Sequence, residues 1–128
     1  MLKHITTSRL IYAAVSLAIA LLIVWGATQA APPIPKLFAQ QDKLEHFLAF
    51  GALTLWITAF FGPRHIGLSS ALAVLAGIGL ELVQAFLIPT RSGSLMDLLA
   101  SIAGVVACAA FVMICRSLIR SRRVSASA

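Results

Sequence analysis

At 128 residues, 60% of them hydrophobic and 11% charged, the chain has room for one domain and lies outside the composition of soluble globular proteins. Its 10 Lys and Arg against 4 Asp and Glu give a net charge of +6. The basic residues sit mainly at the chain ends and no stripe of them alternates with aromatics, which excludes nucleic-acid binding and points to lipid as the solvent.

A basic N-terminus (residues 1–9, with Lys3 and Arg9) precedes four apolar segments, residues 10–31, 44–62, 67–88 and 95–115. Each is about 20 residues long, enough to cross a hydrocarbon core of about 30 Å. Continuous rather than alternating apolarity predicts helices. Turn chemistry separates them: Pro32, Pro33 and Pro35, then Gly62, Pro63 and Gly67, then Pro89, Ser92 and Gly93. The short connections imply antiparallel neighbours, so the expected fold is an all-α bundle of four transmembrane helices. A basic tail, residues 116–128, follows the core of residues 41–115.

Lys3, Arg9, Arg64, Arg116, Arg120, Arg122 and Arg123 fall on one side of such a bundle, and Lys36, Lys43 and Arg91 on the other. The positive-inside rule then puts both termini in the cytoplasm and the first and third connections outside. A secretory signal is the alternative for the first segment, with Thr28-Gln29-Ala30 as a weak cleavage site. A signal's apolar region is about 7–15 residues, shorter than this one, so the helix is expected to be retained. Cys108 and Cys115 are seven residues apart in one helix, about 10 Å by a 1.5 Å rise, beyond disulfide reach, and are expected to face core or lipid.

The entire acidic inventory lies toward the outward end: Asp42 and Glu45 at the mouth of the second helix, Asp97 at the mouth of the fourth, and Glu81 about 10 Å inside the third. Lys43, His46, Gln84, Arg91, Ser94 and Ser101 gather around them. Asp42 and His46, Glu81 and Gln84, and Asp97 and Ser101 are spaced to share helix faces. Gly51 and Gly104 lie near the depth of Glu81, where small residues let helices approach. A carboxyl inside a membrane helix costs about 2.5–3.5 kcal/mol unless it finds a partner. For Glu81 the candidates are Arg91, Lys43, His46 or a hydrogen bond in its protonated form.

In order, Asp42-Lys43-x-x-His46-Phe47-x-x-Phe50-Gly51, then Glu81-x-x-Gln84, then Arg91 and Asp97 with Gly104, resemble the VanZ-like family of small bacterial membrane proteins. The resemblance covers residues 41–107. It implies a multi-helix protein of the bacterial cytoplasmic membrane with a cell-envelope role, lipid-linked intermediates as ligands, and a connection to teicoplanin resistance. One departure is Ser101, where the family usually has Asn; a hydroxyl is expected to replace one amide hydrogen bond but not two.

Each motif also has a structural alternative. Glu81 and Gln84 form either a pair that locks the third helix or a polar wall of an outward-open pocket. Asp42 and Glu45 suit a helix N-terminus, with Lys43 snorkelling, which leaves His46 unexplained; histidine is the residue suited to proton transfer and anion binding near neutral pH. Arg91 is an interfacial anchor or a bidentate ligand for phosphate or carboxylate. Ser94 and Asp97 fit an N-cap arrangement as well as a site. Phe47, Phe50, Trp56, Phe60 and Phe61 suit packing, and the arginines of the tail suit an orientation signal.

The expected function is an outward-facing site for an anionic, lipid-linked envelope precursor or phospholipid. His46, Glu81 and Asp97 are the expected catalytic residues of headgroup hydrolysis or transfer, and Asp42, Lys43, Gln84, Arg91 and Ser101 the expected substrate-binding ones. The alternative is a non-enzymatic lipid-binding or accessory protein of envelope biogenesis or glycopeptide resistance. A cation site at the acids is a third reading, although no dense ligand motif supports it. No cofactor or metal is expected. Further partners are a second copy of the chain or larger envelope machinery.

Overall fold

The computed structural model describes residues 7–29, 35–89 and 92–126. They form four helices, α1 (Thr7–Thr28), α2 (Gln41–Phe61), α3 (Ile66–Leu87) and α4 (Leu95–Ala126), with a 3-10 turn, Pro63–His65, between α2 and α3. All four are long and apolar enough to cross a membrane, so the protein is an all-α, multi-span membrane protein.

The limits of α2 and α4 shape the polar ends of the bundle. α2 begins at Gln41, one turn ahead of the apolar run, so Asp42, Lys43 and His46 are helical. It ends where Gly62 adopts a φ of 93°, a conformation that favours glycine, and donates its amide to the Thr58 carbonyl at 2.7 Å. α4 does not stop at Cys115. It continues as one helix of 32 residues through Arg116, Arg120 and Arg123, so most of the expected basic tail is helix.

α2 is the centre of the bundle: it packs most extensively on α4 and also touches α1 and α3, whereas α1 and α4 do not meet among the described residues. The core joins Ala27 of α1, Phe50 and Leu53 of α2, Ala73 and Leu80 of α3, and Val105 of α4. Lipid tails are as apolar as leucine, so helix association here depends on close contact rather than on burial from water. The closest approach of α2 and α4 is glycine-made. A β-carbon on Gly104 would overlap the Phe47 carbonyl, and one on Gly51 would meet the Gly104 carbonyl oxygen at 3.3 Å.

Three hydroxyls inside the bundle are satisfied within their own helices, whereas the buried Ser70 Oγ has no partner among the described residues. Thr54 donates to the Phe50 carbonyl and Thr58 to that of Thr54, both at 2.7 Å, and Ser69 donates to the His65 carbonyl at 3.2 Å. α1 is the least enclosed helix, with Leu22 still 65% exposed to the lipid side. It is held at one end by the Tyr12 and Trp56 rings, 6.0 Å apart, and at the other by a buried hydrogen bond in which Gln84 Nε2 donates to the Ala27 carbonyl at 3.0 Å.

Candidate functional site

The antiparallel bundle carries the first turns of α2 and α4, the last turns of α3 and the C-terminal end of α1 to one end of the molecule. All four acidic residues lie on these turns. α4 opens with Ser94 as its N-cap, and the Ser94 Oγ accepts the Asp97 amide at 3.2 Å. In a reciprocal capping box the side chain at Asp97 would accept the Ser94 amide in turn. Here Glu81 of α3 does so instead: its Oε2 accepts the Ser94 N–H at 2.6 Å. The Asp97 carboxylate is thereby released from capping and, half-buried, makes no hydrogen bond among the described residues.

One turn into α4, the buried Ser101 hydroxyl donates to the Asp97 carbonyl at 2.9 Å and lies 3.1 Å from His46 Nδ1 on α2. A serine has one proton. Given to the Asp97 carbonyl, it leaves Oγ as the acceptor of His46 Nδ1–H, which fixes the neutral imidazole with a bare Nε2. His46 is further fixed by the Phe50 ring, stacked one turn below with 10° between planes. Ser101 therefore makes two contacts through one hydroxyl, by donating in one and accepting in the other.

Four hydrogen bonds thus link three helices in sequence, from Glu81 to Ser94, Asp97, Ser101 and His46. Two of the links use backbone amides, so the chain is a positioning frame rather than a proton wire. Three groups face away from it unpaired among the described residues: Glu81 Oε1, the Asp97 carboxylate and His46 Nε2. The first is the costliest, because Glu81 is only 8% exposed and its Oε1 is a buried acceptor with no partner among the described residues.

Two other expected site residues, Gln84 and Asp42, make their contacts outside this frame. Gln84 spends its amide nitrogen on α1. Asp42 pairs with Lys36 across the first connection at 2.6 Å, an exposed ion pair of small energetic weight. Lys43 is half-buried and makes no hydrogen bond among the described residues. Arg91, one of the candidate partners of Glu81, lies outside the described residues, so its placement is not part of this geometry.

Gln41 is a residue that sequence reasoning missed. It is buried and uses both ends of its amide: Oε1 accepts the Leu37 N–H at 2.7 Å, while Nε2 donates to the Pro35 carbonyl at 3.2 Å and to Glu45 Oε1 at 2.8 Å. It fastens the Pro-rich connection to the mouth of α2. Gly93 is a second such residue: a β-carbon there would come within 2.9 Å of the Glu81 carbonyl oxygen and 3.1 Å of the Ala85 β-carbon. Only glycine lets the third connection lie flat enough on α3 for Glu81 to reach the Ser94 amide. Among the described residues no three of His, Cys, Asp and Glu converge as a cation site.

Compared with known proteins, the chain matches no family model, no curated protein and no solved structure.

Proposed function

We propose that the protein is a VanZ-like protein of the bacterial cytoplasmic membrane whose polar end takes an anionic headgroup of a phospholipid or lipid-linked envelope precursor. The observation that carries this reading is the hydrogen-bonded frame from Glu81 to His46, which holds three polar groups without a partner among the described residues, the buried Glu81 Oε1 foremost, at one end of the bundle. Holding them there is costly in lipid, and a bound polar ligand offsets that cost. The excess of Lys and Arg at the other end of the bundle supports an outward orientation of the site.

In this proposal Lys43 and Arg91 receive the anion, while Glu81 Oε1, the Asp97 carboxylate and His46 Nε2 accept the ligand's hydroxyl or ammonium donors. If headgroup transfer or hydrolysis takes place, the bare Nε2 of His46 is the base that takes the proton of the attacking hydroxyl. A specific observation favours the second reading, a non-enzymatic lipid-binding or accessory protein: Gln84 and one oxygen of Glu81 are committed to holding the scaffold.

Mass spectrometry of envelope lipids incubated with the purified full chain separates the two. A lipid consumed by the wild type but not by His46→Ala or Asp97→Asn establishes an enzyme and names its substrate. Unchanged lipids that co-purify with the wild type, and are lost from those variants, establish the binding role. The absence of both consumption and selective co-purification rejects the site.

A further inference from the structure

The opposite end of the bundle carries a second polar feature that shares no residue with the frame from Glu81 to His46. Arg116, Arg120 and Arg123 are spaced at i, i+4 and i+7 and therefore form one stripe along α4. The stripe exists because α4 continues as helix beyond its apolar segment. By a 1.5 Å rise, residues 95–115 span about 31 Å, so the stripe begins where the hydrocarbon core ends. Across from it is the 3-10 turn, Pro63–His65, with Arg64 at its centre. Arg116 ties the two together by donating from Nη1 to the Pro63 carbonyl at 2.9 Å.

Between them is an open groove of about 650 Å³ lined by Arg64, Arg116, Arg120 and Arg123, with Ser117 and the apolar Met113 and Ile119. Four guanidinium groups share this groove, and no acidic residue of the chain is near in sequence, since all four acids belong to the turns at the other end. A general orientation signal needs only net positive charge on this side. It does not require the charges to converge on one groove, nor a main-chain bond that fixes one of them. Met113, 52% exposed in the same groove, lies in the apolar segment ahead of Arg116 and gives the groove an apolar wall on its membrane side. A phosphate with hydrocarbon attached matches that pairing of chemistries; a free anion matches only half of it.

We infer that this groove binds the headgroup of an anionic phospholipid, with the phosphate held by Arg64, Arg116, Arg120 and Arg123 and the adjoining acyl carbons lying on Met113. The binding is a property of the arginine-rich end and does not depend on what occupies the site at His46. Arg122, which lies off the stripe on α4 and does not line the groove, takes no part in it.

The test uses the full chain in a neutral detergent, titrated with dioleoyl phosphatidylglycerol or dioleoyl phosphatidylcholine and read by native mass spectrometry. Phosphatidylglycerol is expected to bind at least about tenfold more tightly than phosphatidylcholine. Arg120→Gln and Arg122→Gln each remove one charge, but only the first is expected to weaken phosphatidylglycerol, by about fivefold. The double variant Arg120→Gln/Arg123→Gln is expected to weaken it about thirtyfold. Both positions are exposed and outside the apolar span, so the fold is retained. Equal binding of the two lipids, or equal effects of Arg120→Gln and Arg122→Gln, overturns the proposal. Displacement of phosphatidylglycerol by millimolar inorganic phosphate also overturns it, by assigning the groove to a soluble anion.

Discussion

Glu81 accepts the backbone N–H of Ser94 at 2.6 Å, so a carboxyl buried in one membrane helix caps the beginning of the next. This relationship explains half of a costly residue, since one oxygen is satisfied by an orphan helix donor that would otherwise need a side chain of its own. Glu81→Gln keeps an acceptor oxygen for that donor, whereas Glu81→Leu leaves it unpaired. Glu81→Leu is therefore expected to lose about 1–3 kcal/mol of stability, and Glu81→Gln to stay within about 1 kcal/mol of wild type. Thermal or denaturant unfolding in a fixed detergent checks this, and equal stability of Glu81→Leu and wild type would remove the capping role.

The contact of α2 with α4 makes a prediction by rank. Gly104→Ala forces the Phe47 backbone to move, Gly51→Ala meets the Gly104 carbonyl oxygen at 3.3 Å, and Gly79→Ala meets nothing within 4 Å. The first is expected to cost about 1–3 kcal/mol, the second less. Gly79→Ala is expected to stabilise by up to about 1 kcal/mol, because alanine is the better helix former. Unfolding midpoints of the three variants that fall in any other order would refute the packing at this crossing.

The four spans were legible because long apolar runs in lipid leave few choices besides helix, and the Ser94 cap with Asp97 three residues later has a local spacing signature. The partner of Glu81 was not legible. The sequence offers Arg91, Lys43, His46 or a hydrogen bond in the protonated form, but the group found on Oε2 is a backbone amide, which every residue except proline possesses and no pattern marks. Gln84 illustrates a related limit. Its spacing from Glu81 placed both on a similar face, yet the few tens of degrees between them suffice to turn Gln84 toward α1 and Glu81 toward α4. Gln41 was overlooked because a lone polar residue at a helix start looks solvated until the Pro-rich connection folds over it.

The Gln84 bond makes α1 a testable part of the bundle. Its carbonyl acceptor is at Ala27, in the last turn of α1, where the Ala27 side chain also enters the core. Gln84→Leu removes the donor while keeping the volume similar. It is expected to destabilise the protein by about 1–3 kcal/mol and to loosen the end of α1. A cysteine introduced as Ala27→Cys should then react with a maleimide faster in the Gln84→Leu background than with Gln84 intact; the same rate in both would show that the bond does not hold α1 in place.

His46 and Ser101 give the most specific prediction for the candidate site. With the Ser101 proton on the Asp97 carbonyl, His46 keeps its own proton on Nδ1 in the neutral form, and Nε2 is the free base. Ser101→Ala removes the acceptor that selects this tautomer, without touching the imidazole itself. Ser101→Asn can restore both contacts, since an amide oxygen accepts the Nδ1 proton while the amide nitrogen donates to the Asp97 carbonyl. Nitrogen-15 spectra of histidine-labelled protein are therefore expected to show an Nδ1-protonated His46 in the wild type, a shift toward the other tautomer in Ser101→Ala, and recovery in Ser101→Asn. A loss of lipid turnover or binding that follows the tautomer through the three proteins would make Ser101 a positioning residue acting through His46. A wild-type imidazole protonated on Nε2 would instead put the Ser101 proton on His46 and leave no base facing the ligand.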